Sequence, residues 1–195
     1  MLFRLFYIMI LALDISTAIV GISIFDEDYK LHEMSFFKFG KKRSIFEKLS
    51  DFIDHFEKYS ELNFTNIAIE EPLKKFAGKF SNADTIQKLT QMNALMSGYL
   101  YTKHKVEPVY YNVQTARKTA FPNLTIPQSH PSKKTLIWQA VMEAEPTLNW
   151  QYTKGGKLIE GTFDMADSYV VGSAHIVSLI KQKSAKKNLV IEKSK

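Results

Sequence analysis

Four carboxylates stand at the ends or in the middle of apolar segments. Asp14 interrupts MILALDISTAIVGISIF (Met9 to Phe25), Glu70 closes FTNIAIE, and Asp164 and Asp167 lie three apart in DMADSYVVGSAHI. On a helix that spacing puts both side chains on one face. Buried together, the four would repel strongly, and no basic residue is close enough in sequence to offset all of them. Divalent cations resolve the conflict. Hard oxygen donors in a chain with no cysteine and no histidine cluster select Mg²⁺ or Mn²⁺ over Zn²⁺. Two such ions about 4 Å apart form the clamp used in phosphodiester hydrolysis. Taken singly, each acid has a plainer reading: Asp164 and Asp167 suit the positive end of a helix dipole, and Glu70 ends a strand at the surface.

Convergence depends on the elements that carry the acids. The apolar residues at 9–13 and 18–25 predict two strands joined by a tight turn at DIST, with Gly21 easing a close backbone approach. A third strand is expected through Tyr29 to Phe39. Ser44 opens a helix with an apolar stripe of Ile45, Phe46, Leu49, Phe52, Ile53 and Phe56. Phe64 to Glu70 reads as a short buried strand of the parallel type, set beside the first. Ser81 with Asp84 resembles a capping box for a long helix striped by Ile86, Leu89, Met92, Met96, Tyr99 and Leu100. A strand is expected at Pro108 to Val113, then helices at Thr115 to Phe121 and Pro131 to Ala144. NWQYTKGGKLIEG resembles a hairpin turning at Gly155 and Gly156, and a last helix is expected from Phe163 to Lys183. Residues 184–195 are expected to be a mobile Lys-rich tail. The order is that of an α/β fold: a mixed central sheet, antiparallel first and then parallel, with helices on both faces. A helix crossing the ends of the first and fourth strands would gather the four acids.

At 195 residues and 45% apolar content, the chain is long enough for one sizeable core, so a single domain over 1–195 is expected. The absence of cysteine excludes a disulfide framework and suits a reducing compartment. A formal charge of +6 fits a polyanion or an anionic membrane surface. The start MLFRLFYIMILAL resembles a signal peptide. Against that, the apolar stretch before Asp14 falls short of the ~20 residues of a bilayer span, and a charge at mid-membrane is costly. No stable membrane association is expected.

MILALDISTAIVGISIF, NIAIEEPL and DMADSYVVGSAHI resemble, in order and spacing, the three acidic motifs of the RuvC-type Holliday-junction resolvases of the RNase H-like superfamily. Those enzymes begin near a Met-Ile-Leu-Gly-Ile-Asp pattern, carry Ala-Ile-Glu at the end of a central strand, and finish with Asp-x-x-Asp-Ala on a C-terminal helix. The resemblance spans most of the chain and favours the compact phage versions. It implies an RNase H-like fold with Asp14, Glu70, Asp164 and Asp167 as catalytic metal ligands for two Mg²⁺, with Mn²⁺ as a substitute. It also implies a homodimer acting on four-way junctions and other branched DNA in the cytoplasm of a bacterial or phage-infected cell. Three departures stand out: Ile15-Ser16 replaces the family's Pro-Gly; the family motif begins nearly at the start codon, so that residues 1–8 are either an extension or an upstream start used in place of Met9; and Leu73 stands where an aromatic is thought to stack on junction bases, leaving Phe76 and Phe80 as substitutes for the wedge.

Lys74, Lys75 and Lys79 follow Glu70 closely, and Arg117, Lys118, Lys133 and Lys134 resemble family positions that contact the DNA backbone. Contacts of this kind set affinity and salt dependence rather than sequence choice. His175 lies about 12 Å of helix rise beyond Asp167, too far to share its metal, and is expected in the core or supporting the site. Met92 and Met96 read as packing, and KGGK as a turn. Alternatives remain: an RNase H-like nuclease for RNA–DNA hybrids, flaps or forks; an ATP-binding module of the actin and sugar-kinase type; and a non-catalytic DNA-binding protein.

Overall fold

Apolar sequence at the N-terminus forms two strands, β1 (Ile8–Ile15) and β2 (Ile19–Phe25), paired antiparallel so that Asp14 faces Gly21 across the ladder. Ser16 closes the turn between them: its Oγ accepts from the Ile19 N–H at 2.9 Å and donates to the Ile19 carbonyl at 2.8 Å. The computed structural model describes residues 8–72, 83–127 and 133–192. β3 (Leu31–Lys38) adds antiparallel to β2, β4 (Asn63–Glu70) adds parallel to β1, and β5 (Val109–Tyr111) adds parallel to β4. The sheet order is therefore β3-β2-β1-β4-β5, the mixed arrangement expected, with Glu70's strand beside that of Asp14.

Side-chain alternation sorts the three central strands between two layers. Leu11, Leu13, Val20, Ile22, Ile67 and Ile69 point to one face. There they meet Phe52 and Phe56 of α1 (Ile45–Phe56) and Met92, Met96 and Leu100 of α2 (Ala83–His104). Ile10, Ala12 and Ala68 point to the other face, under Ala166, Val170, Val171 and Ala174 of α5 (Thr162–Glu192). α3 (Val113–Ala120) and α4 (Lys133–Ala144) pack on α5. Alanines at 12, 68, 166 and 174 leave the helix close to the sheet, so what projects from these strands beyond the alanines faces the helix start directly. Burial along almost all of β1 and the whole of β2 explains why their sequences lack polar alternation.

α1 opens at Ser44, whose side chain accepts from the Glu47 N–H while Glu47 returns the bond to the Ser44 N–H, a reciprocal cap. Ser81 and Ser132, expected to start the next helices, lie outside the described residues. α3 begins at Val113 rather than Thr115 because the Asn112 side chain accepts from the N–H groups of Gln114 and Thr115, which ends the strand two residues early. The hairpin expected around Gly155 and Gly156 reduces to one antiparallel bridge, Tyr152 with Leu158; residues 151–157 are exposed, and the apolar Leu158 and Ile159 are half-buried. α5 runs on to Glu192 rather than ending near Lys183. KQKSAKKNLVIE contains neither glycine nor proline, so nothing in it breaks a helix. Among the described residues no helix is long and apolar enough to cross a membrane.

Candidate metal centre

Asp14 projects from β1 on the face that carries Ile10 and Ala12, and Glu70 from β4 on the face that carries Asn66 and Ala68. Both emerge past the last alanine of their strand, where the first turns of α5 bring Asp164 and Asp167. Asp14, Glu70 and Asp167 each place a carboxylate oxygen within 4.8 Å of the others. Asp164 lines the same cavity, of about 330 Å³, without belonging to that close triad.

Two cations enter the cluster as well. Arg117 Nη2 donates to Asp167 Oδ1 at 2.8 Å, and Lys134 Nζ lies 3.8 Å from Asp167 Oδ2. Neither base is close to the acids in sequence; α3 and α4 fold onto α5 and deliver both side chains from a distance. The pair does not neutralise the site. Burial pushes the Asp14 carboxyl well above the usual carboxylate range, and repulsion from Glu70, Asp167 and Asp164 adds to the shift. Burial, reinforced by Asp167 and opposed by Arg117 and Lys134, raises Glu70 from its ordinary 4.5 to about 7. Asp164 is raised for the same first reason, with Lys134 opposing.

A group with a raised folded-state pKa binds its proton more tightly folded than unfolded. The stability from Glu70 is therefore present below pH 4.5 and lost as pH rises through about 7. With divalent ions chelated, the chemical-denaturation free energy is expected to fall by roughly 2–3 kcal/mol more in wild type than in Glu70→Gln between about pH 5 and about pH 8. Parallel pH curves for the two proteins would contradict this.

The donor set fits a hard divalent cation. Asp167 is buried and Asp14 and Glu70 are half-buried, and the three offer carboxylate oxygens with no thiolate or imidazole among them, the donor chemistry that suits an ion of the Mg²⁺ or Mn²⁺ type. Comparison with known proteins bears on the scaffold. No protein-family model matches the sequence, and no curated protein matches it. Solved structures do. T. thermophilus RuvC in complex with a Holliday junction substrate aligns over 90% of this chain and 96% of its own, at 9% identity and a TM-score of 0.63. The chain has the RNase H-like fold of RuvC. A second Thermus thermophilus RuvC structure aligns at TM-score 0.61 and 11% identity, over 90% of this chain and 97% of its own. The Fowlpox virus resolvase complexed with Holliday junction DNA aligns at 0.51 and 17%, over 88% and 99%. The RuvC-like fold thus covers 88–90% of the chain at 9–17% sequence identity.

Of the basic residues singled out by sequence, Arg117 and Lys134 reach the acids, whereas Lys118 and Lys133 line a neighbouring cavity. Lys74, Lys75 and Lys79, and the wedge candidates Leu73, Phe76 and Phe80, lie outside the described residues. His175 is buried in the core, as far along α5 as its spacing implied. It bridges β4 and β5, with Nδ1 at 3.0 Å from the Tyr111 hydroxyl and Nε2 at 3.2 Å from Asn66 Oδ1. Burial lowers its pKa, which suits a neutral ring. The strands and helix that carry Glu70 and Asp167 are thereby tied together at the far end of the same face. No local motif marks this bridge, because its three members are distant in sequence.

Proposed function

We propose that the protein is a divalent-metal-dependent endonuclease that resolves four-way DNA junctions as a two-fold homodimer. The observation that carries the reading is the close triad of Asp14, Glu70 and Asp167 with Arg117 and Lys134 beside it. It stands on a fold shared with a RuvC that was solved with a Holliday junction substrate. In this proposal two Mg²⁺ bind per site: Asp14, Glu70 and Asp167 hold one, and Asp14 and Asp164 hold the other, with Mn²⁺ able to replace them. Bound there, the ions would supply Lewis-acid stabilisation of charge on the phosphate and a water acidic enough to attack near neutral pH.

The chain's own groups do the rest. Partial burial of Asp14 and Glu70 and burial of Asp167 reduce solvent screening of the carboxylates, which strengthens their hold on cations. Arg117 and Lys134, now on Asp167, stand where phosphate oxygens would arrive and can exchange a carboxylate for a phosphate partner of the same charge type. Lys118 and Lys133 extend this basic surface to flanking phosphates. A small-residue face on α2 supports the dimer. Phe46, 72% exposed, joins Ile45, Gln91, Ala94 and Leu95 around an apolar cavity of about 490 Å³, and a partner helix could approach closely over Ala94 and Gly98.

The test is incubation of the purified protein with labelled four-way junction, linear duplex and RNA–DNA hybrid, in Mg²⁺ or EDTA, beside Asp164→Asn. Junction incision leaving 5′-phosphate and 3′-hydroxyl ends is expected, lost in EDTA and in the variant. Incision that survives EDTA would sink the metal assignment, and cleavage of the hybrid alone would move the substrate to RNA–DNA duplexes. Sedimentation of the same sample as a monomer would remove the dimer.

A further inference from the structure

Next to the acid cavity lies another of about 370 Å³, lined by Gln114, Arg117, Lys118, Leu124, Ile126 and Lys133. Neighbouring residues are divided between the two. Arg117 lines both, Lys134 faces the acids, and Lys133 and Lys118 turn to the second cavity. The Arg117 guanidinium is therefore the shared wall, with Nη2 on Asp167. Its Nε is buried with no acceptor among the described residues.

The lining says what would fit. Three cations and no carboxylate among the described lining residues call for an anion. Leu124 and Ile126 provide an apolar surface that a phosphate would not use but a flat heterocycle would. Gln114 offers a donor and an acceptor on one side chain, the pattern that pairs with base edges. A nucleotide carries all three complements. The volume falls in the range of about 300–1,000 Å³ typical of small-ligand sites.

We propose that this cavity receives one nucleotide of the cleaved strand, next to the phosphate held at the acids, and that Gln114 sets the base preference of incision. The phosphate would sit on Lys118 and Lys133, the base against Leu124 and Ile126, and its edge on the Gln114 amide. The inference rests on the endonuclease reading above.

A junction library randomised around the branch point, cut in Mg²⁺ and sequenced at the new ends, tests it. Wild type is expected to favour a base at one fixed position by at least about fivefold, the scale of one good amide–base pairing. Gln114→Ala should flatten that preference to within about twofold. Lys118→Ala with Lys133→Ala should weaken junction binding equally for every base. An unchanged preference in Gln114→Ala, or a wild type with none, overturns the pocket and leaves the endonuclease standing. Free deoxynucleoside monophosphates that bind tightly to wild type, with base preference indifferent to Gln114, would make this a free-nucleotide site and also overturn it. A wild type that cuts no junction overturns the parent reading, and the pocket's role falls with it.

Discussion

Asp14→Asn is expected to reduce metal-dependent junction incision by at least about a thousandfold while making the metal-free protein more stable. The first effect follows from removing the ligand proposed to be shared by both ions, which forfeits several kcal/mol of transition-state stabilisation. The second follows from the environment: burial and three neighbouring acids push the Asp14 carboxyl above its ordinary range, so a neutral amide of the same size relieves both the desolvation and the repulsion. A gain of roughly 1–3 kcal/mol in chelator-treated protein is the expected scale, read by denaturant titration at about pH 8. Opposite signs are the discriminating feature. A residue needed merely for folding would lower stability and activity together, and Asn retaining near-wild-type incision would remove Asp14 from the metal site. Added Mn²⁺ should raise the melting temperature of wild type and leave that of Asp14→Asn nearly unmoved.

What sequence made legible here is what strand and helix periodicity can carry. Asp14 and Glu70 stand out because each is a charge at the end of a run too apolar to be surface, and the spacing of Asp164 and Asp167 puts both on one helical face. Their meeting requires only that two strands be neighbours and one helix cross them, which the α/β order implies. Arg117 and Lys134 were visible as basic residues, but nothing local says that they turn to Asp167 while Lys118 and Lys133 turn away. That division depends on the rotation of α3 and α4 against α5. The Asn66–His175–Tyr111 bridge was invisible for the same reason, since it joins β4, α5 and β5 through side chains far apart in the chain. The extension of α5 to Glu192 was obscured differently: clustered lysines read as a solvated tail, although lysine is itself a good helix former.

The acids also depend on one residue that bears no charge. Gly21 faces Asp14 across the β1–β2 ladder and lies beneath the first turn of α5. A Cβ there would sit 1.9 Å from the Asp164 carbonyl oxygen, 2.3 Å from its carbon and 2.9 Å from the Met165 nitrogen. All three are backbone atoms, so no rotamer change relieves the overlap and the helix itself must move. Asp164 and Asp167 ride on that turn, and one turn further on Ser168 Oγ lies 2.8 Å from Ser23 Oγ, pinning the helix to the next residue on this face of β2. Gly21→Ala is therefore expected to destabilise the protein by about 3 kcal/mol or more. In whatever folded protein remains, incision should fall on the order of a hundredfold, because displacing catalytic ligands by about 1 Å is costly. Gly155→Ala is the control: its Cβ would meet nothing within 4 Å, and both stability and incision should stay near wild type. Full activity in Gly21→Ala would mean that α5 can stand off the sheet without disturbing the acids, and the close approach at Gly21 would then have no part in building the site.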